Sequence, residues 1–210
     1  MFEKFKTTFS PEQSKISVDT VSLAQFAKET LQINIPVAVL AFWNEMGSGY
    51  FGERMLYVFG DEVLKRPRDS FQDWNTKDFW AKIYPFPREA APGFFAETCF
   101  GNQIGFRWEG DQVIYLLFCI DTFEAFVIAR SDSELFEEVL GDQYAFEEEG
   151  RLRAVRKALG DLRDGMHYAP VVSPLIGGEN KVENICLETA NVHFRLAMAT
   201  YEAIGNATAV

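Results

Sequence analysis

The sequence predicts an α+β fold, a central antiparallel β-sheet flanked by N-terminal and C-terminal helices. Three observations predict it. Between Phe94 and Arg130 the chain reads as consecutive strands with turn residues between them: Phe94, Ala96, Thr98 and Phe100 alternate with Phe95, Glu97 and Cys99, and Ile104, Phe106 and Trp108 alternate with Gly105, Arg107 and Glu109. The turn Gly110-Asp111 signals a hairpin, and the run after it, Val113 to Ile120, is apolar at every position, as a strand covered on both faces requires. Helical spacing lies on either side of this segment, before it from Phe2 to Met46 and after it from Ser131 onward.

Each element follows from local chemistry. Phe2, Phe5 and Phe9 share one face of a short opening helix, and Ser10-Pro11 ends it or starts another turn. Ser22 is placed as the N-cap of a helix from Leu23 to Leu31. Pro36 opens the next helix, whose first turn needs no N–H from it; Val39, Leu40, Trp43 and Met46 form the inner face and Gly47 ends it. Gly49 to Gly52 reads as a loop and Met55 to Phe59 as a short strand. The stretch from Asp61 to Trp80 is polar and irregular, with one of Trp74 and Trp80 expected as a lid and the other partly exposed. Pro85 and Pro87 restrict Ile83 to Arg88 to an extended edge segment. Asp121-Thr122 turns the chain into a strand from Phe123 to Ala129, in which Glu124 is the one charged interior position. Ser131 or Asp132 caps a helix through Leu140 with Leu135, Phe136 and Val139 inward. A helix from about Glu147 to Leu162, a Pro/Gly-rich loop from Tyr168 to Glu179 and a short strand at Ile185 to Leu187 follow. The closing helix spans Glu188 to Ile204, with Val192, Leu196, Ala199 and Ala203 inward.

Composition sets the outer bounds. A chain of 210 residues suits one domain, 1–210, with a helical extension from about 147 to 210. Apolar residues make up 48% and Phe alone contributes 20, so the expected core is large and aromatic. No apolar run approaches the ~20 residues of a membrane span. The N-terminus, MFEKFKTTF, lacks the apolar centre of a signal peptide, and a cytoplasmic protein is expected. The three cysteines, Cys99, Cys119 and Cys186, are far apart and odd in number, which favours buried thiols over a disulfide or a metal site. A net charge of -11 excludes direct nucleic-acid binding and suits a basic partner; plain solubility accounts for it equally well.

The unit IPVAVLAFWNEMGSGYFGERMLYVF, a Pro-initiated helix, a Gly-rich turn and a strand, resembles the opening of the SUKH superfamily. ETCFGNQIGFRWEGDQVIY is similar to that family's central hairpin, SDSELFEEVL to the helix that follows its sheet, and YAPVVSPLIGGENKVENICLETANVHFRLAMATYEAIG to the tail of the related GAD-like immunity proteins. The resemblance covers about three quarters of the chain and rests on the order and spacing of short motifs. It implies a bacterial immunity protein that binds a cognate toxin domain and blocks it in the producing cell. Toxins of such systems are often nucleases, delivered by type VI secretion or contact-dependent machinery. Eukaryotic relatives that act as regulatory scaffolds keep a second reading open.

The strongest charge signal runs from Ser131 to Glu149. It holds Asp132, Glu134, Glu137, Glu138, Asp142, Glu147, Glu148 and Glu149 and no Lys or Arg. Two readings fit, a solvated helix face and an acidic patch offered to a basic toxin surface; on the second, Glu134, Glu137, Glu138 and Asp142 contact the partner. Glu147–Arg151 and Glu149–Arg153 are spaced as i,i+4 ion pairs, which makes the basic residues Arg153, Arg156, Lys157 and Arg163 structural. The aromatics Trp43, Tyr50, Phe51, Trp74 and Trp80 are candidates to line part of a concave partner surface, Trp43 and Tyr50 foremost, with core packing as the alternative. The two histidines, His167 and His193, read as structural. No H-E-x-x-H, C-x-x-C or D-x-D-x-D-G pattern is present, so no metal and no cofactor is expected. Gly47-Ser48-Gly49 is a turn rather than a nucleophile elbow. No acid, base and nucleophile cluster, which argues against the remaining alternative, a small enzyme.

Overall fold

The computed structural model describes residues 2–9, 16–61, 69–78, 80, 91–142, 144–146 and 149–208. The expected extended segment from Ile83 to Arg88 lies outside them. A six-stranded antiparallel sheet forms the middle of the molecule, in the order β1 (Gly49–Phe51), β2 (Leu56–Val58), β3 (Gly93–Thr98), β4 (Gln103–Glu109), β5 (Gln112–Cys119) and β6 (Glu124–Ala129). Each strand pairs with its sequence neighbour: short turns join β1 to β2 and β3 through β6 in succession, as antiparallel pairing allows, while the long connection from β2 to β3 carries a short helix, Phe71–Asn75. Gly110, at φ +61°, makes the β4–β5 turn, and Glu109 faces Gln112 across it.

Helices flank the sheet as expected. α1 (Glu3–Thr8), α2 (Thr20–Phe26) with a π-helical continuation over Ala27–Leu31, and α3 (Val37–Met46) precede it. α5 (Glu134–Val139, π-helical), α6 (Glu149–Leu159) and α7 (Ala190–Thr208) follow it. Phe2 and Phe5 of the opening segment pack edge-on against Phe42 of α3, at ring separations of 5.4 and 4.9 Å. On the opposite face the sheet meets Trp74, Trp80 and Phe194, whose rings lie 4.5 to 5.9 Å apart.

Several elements depart from expectation. The N-cap of α2 is Asp19, whose carboxylate accepts the N–H of Ser22 at 3.1 Å; Ser22 lies inside the helix. Gly49–Phe51 is a strand, not a loop, because Gly52, Glu53 and Arg54 all take positive φ and turn the chain back within a few residues. Inside the stretch read as irregular, Ser70 caps α4 (Phe71–Asn75) by accepting from Asp73 N, and both Trp74 and Trp80 are buried. Glu124 is exposed and is the first residue of β6 rather than an interior one. β5 is covered unequally: Ile114, Leu116, Phe118 and Ile120 are buried, as is Tyr115, but Val113, Leu117 and Cys119 are half-buried. The C-terminal region is not purely helical. Tyr168 belongs to β7 (Met166–Pro170), which pairs with β8 (Ile185–Thr189) in a two-stranded sheet. A smaller apolar cluster of Cys99, Phe100, Leu152, Val155, Leu162, Tyr168 and Ile185 joins this region to the β3–β4 turn.

The inner face of α7 is also different. His193, Phe194, Ala197 and Met198 are buried, while Val192, Leu196, Ala199 and Ala203 face outward. Phe194 takes the inward position because the aromatic bed of Trp74 and Trp80 lies beneath it.

Candidate functional site

The acidic segment leaves β6 directly. Ser131 accepts the N–H of Glu134 at 3.2 Å, and the Glu134 carboxylate accepts the N–H of Arg130 at 2.7 Å, so side chains serve backbone donors in both directions as in a capping box. Asp132 accepts the hydroxyl of Tyr115 at 2.6 Å. Burial first, then this bond and the negative charge of Asp132, raise the Tyr115 pKa well above the usual phenol range. Leu135 and Phe136 point inward, and Phe136 packs 4.9 Å from Phe2 and 5.1 Å from Phe42. This fixes the rest of the segment: Glu138 and, past the helix end, Asp142 are exposed, and Glu134 and Glu137 are half-buried. Asp142 accepts only the nearby N–H of Tyr144, at 2.9 Å. Glu137 and Glu138 have no ion-pair partner among the described residues.

The eight carboxylates therefore do different things. Asp132 and Glu134 hold the helix start, and Glu149 pairs with Arg153 as the spacing predicted. Glu147 and Glu148, and with them the expected Glu147–Arg151 pair, lie outside the described residues. Arg151 lies over the Phe100 ring at 4.4 Å, and Arg156 grips Glu53 at 2.6 Å, both structural contacts. Glu137, half-buried, and the exposed Glu138 and Asp142 are left without an ion-pair partner among the described residues.

Trp43 is corrected outright. It is 0% exposed, its indole N–H donates to the Phe59 carbonyl at 2.8 Å, and Phe71 and Phe95 stack edge-on against it. A partner cannot reach it. Tyr50 is half-buried and engaged within the chain: its hydroxyl accepts from Gly165 N at 2.9 Å and its ring lies under the Arg54 guanidinium at 5.1 Å. It serves to hold the β1–β2 hairpin against the C-terminal region. The exposed large apolar side chains are elsewhere, among them Trp108, Phe126 and Val127. The strand itself is legible in the sequence, but its place at the sheet edge is not.

A buried polar relay is the feature the sequence did not reveal. His193 Nε2 meets Asp121 Oδ1 at 2.9 Å, and His193 Nδ1 meets His167 Nδ1 at 3.1 Å. The second contact requires one imidazole to donate and the other to accept. His167 Nε2 lies 3.5 Å from Glu97 Oε1. Gln103 donates to Glu97 Oε2 at 3.0 Å and to the Gly101 carbonyl at 2.8 Å, and accepts from Trp74 Nε1 at 2.7 Å. Glu97, Gln103, His167 and His193 are all buried; Asp121, in the β5–β6 turn, reaches water. That turn is held by Phe123 at φ +57°, stacked on Tyr201 of α7 at 4.3 Å. Both histidines are thus satisfied buried residues, as expected, but they are bonded to each other. A separation of 26 in sequence hid this. The one available signal is that each histidine is followed by an aromatic residue, Tyr168 and Phe194.

Among the described residues, no group of three or more His, Cys, Asp or Glu is arranged to hold a metal ion, and no helix is long and apolar enough to cross a membrane.

No protein-family model matches the chain, and no curated protein matches it in sequence. Among solved structures, the crystal structure of Atu4351 from Agrobacterium tumefaciens is similar: TM-score 0.66 at 18% identity, over 94% of this chain and 88% of that one. At that identity the likeness establishes a shared fold.

Proposed function

We propose that this chain is an immunity protein that binds a cognate bacterial toxin domain stoichiometrically, with α5 presented to a basic surface of the toxin. The observation that carries the reading is the set Glu137 and Glu138, on a helix anchored by Leu135 and Phe136, with Asp142 just past its end: Glu138 and Asp142 are exposed, Glu137 half-buried, and none of the three has an ion-pair partner among the described residues. A rigid base means that binding need not order the helix first, so less of the interaction is lost to conformational entropy. The resemblance of the α3–β2 unit, the central hairpin and the C-terminal tail to SUKH and GAD-like immunity proteins supports the same reading, and so does the net charge of -11. If the toxin is a nuclease, its substrate groove is basic because it must bind phosphates. An acidic helix can then occupy or flank that groove. The expected gain is chiefly in association rate and in rejection of wrong partners.

The test is charge reversal, Glu137→Lys with Glu138→Lys, measured by stopped-flow association with the cognate toxin domain. Slower association and a flatter salt dependence are expected, with the melting temperature unchanged because neither side chain supports the core. A double variant that associates at the parental rate at low salt and still protects cells would remove α5 from the interface.

A further inference from the structure

The two edges of the sheet are treated differently. β1 is three residues long, and beside it Ser48 N donates to the Ile16 carbonyl at 3.1 Å, which continues the pairing past its start. β6 is six residues long, and among the described residues no element pairs with its outer side. It carries no Pro and no Lys, the usual devices that keep an edge strand from pairing. Its middle is apolar and open to solvent, Phe126 at 49% and Val127 at 44% exposed. Successive residues point to opposite faces, so an added strand would find an apolar neighbour on each face.

We infer that β6 is a docking edge for a strand of the toxin domain, which joins the sheet as a seventh strand with Lys or Arg near the end that meets α5. This deepens the immunity reading and rests on it. Charge chooses the occupant. Asp121 and Glu124 stand at one end of β6, and Asp132, Glu134, Glu137 and Glu138 follow its other end. A second copy pairing antiparallel along β6 would bring the Asp121 and Glu124 end of each chain towards the α5 end of the other, setting carboxylates against carboxylates. A strand with basic flanks meets the same groups favourably. Main-chain hydrogen bonds to β6 would supply affinity and α5 would set register, the division of labour found in strand addition.

Hydrogen exchange of the complex with the cognate toxin domain tests this. The amides of 124–129 should exchange at least about tenfold more slowly in the complex than in the free chain. Val127→Lys, which places a like charge against the basic strand, should weaken binding by about tenfold or more without lowering the melting temperature. Tight binding with unchanged exchange over 124–129 overturns the edge assignment and leaves the immunity reading standing. Failure of the toxin domain to bind at all overturns both. A free chain that sediments as a dimer, and as a monomer after Val127→Lys, assigns the edge to a second copy and overturns the proposal.

Discussion

Gly101 stands at the tightest point of the buried relay. Its φ is +84°, a conformation that side chains other than glycine rarely adopt, and a Cβ there would sit 2.7 Å from His167 Nδ1 and 3.1 Å from His193 Nδ1. Backbone strain and a clash with two bonded imidazoles act together, so Gly101→Ala should cost about 2–4 kcal/mol. A urea midpoint equal to the parent's would mean that the imidazoles can separate at no cost. β5 offers a paired test of burial. Leu116 is 1% exposed and Leu117 is half-buried. Leu116→Ala should cost ~2–5 kcal/mol and Leu117→Ala clearly less; equal losses in chemical denaturation would contradict the unequal cover. Residue-level reading of the sequence succeeded where one neighbour decides the outcome, as with Pro36 before α3 or Gly110 in its hairpin. It failed where two residues competed for one role. Asp19 and Ser22 both have cap chemistry, and only the bonded geometry selects Asp19. Trp43 is as suited to an interface as to a core, and the choice is made by Phe59, Phe71 and Phe95, far away in sequence.

At the scale of elements, length decided what could be read. β4 and β5 are seven and eight residues long, enough for alternation or an unbroken apolar run to stand out. β1 has three residues and α4 has five, too short to show any period, and their order comes from the turn at 52–54 and the Ser70 cap. α7 has 19 residues and was plain as a helix, yet its inner face was misjudged. Val192, Leu196, Ala199 and Ala203 form one apolar stripe; Phe194, Ala197 and Met198 form part of another, and sequence periodicity cannot rank the two. Tertiary packing ranks them, by setting Trp74 of α4 and Trp80 against Phe194 and Asp121 of the β5–β6 turn against His193. Phe194→Ala should therefore cost about 3–5 kcal/mol, and Leu196→Ala, at 59% exposure, within about 0.5 kcal/mol of nothing. Thermal melts that rank the two the other way would restore the face that the sequence suggested.

Across the whole molecule, burial holds protons that the unfolded chain would release. The fold sets the Tyr115 hydroxyl against Asp132 and raises its pKa, chiefly by burial. Burial, with Glu124 and Asp121 adding their charge, pushes the Cys119 thiol up to about 11. Burial also raises Tyr168 and Cys186, in the region that packs on the β3–β4 turn. The sign is the same for all four. Unfolded thiols ionise near pH ~8.5 and phenols near ~10. In the folded chain these groups keep their protons to higher pH, so the native state binds more protons than the unfolded state. Their contribution is fully present below pH ~8.5 and is lost as pH rises, through about 11 for Cys119. The chain should accordingly show a falling urea midpoint between pH 8.5 and 10.5, beginning with the thiols and steepening as the phenols join. Cys119→Val should remove its share of the early slope and leave the later part in place. A midpoint that stays flat to pH 10.5 would mean that these groups reach water more readily than their packing against α5, β6 and α6 allows.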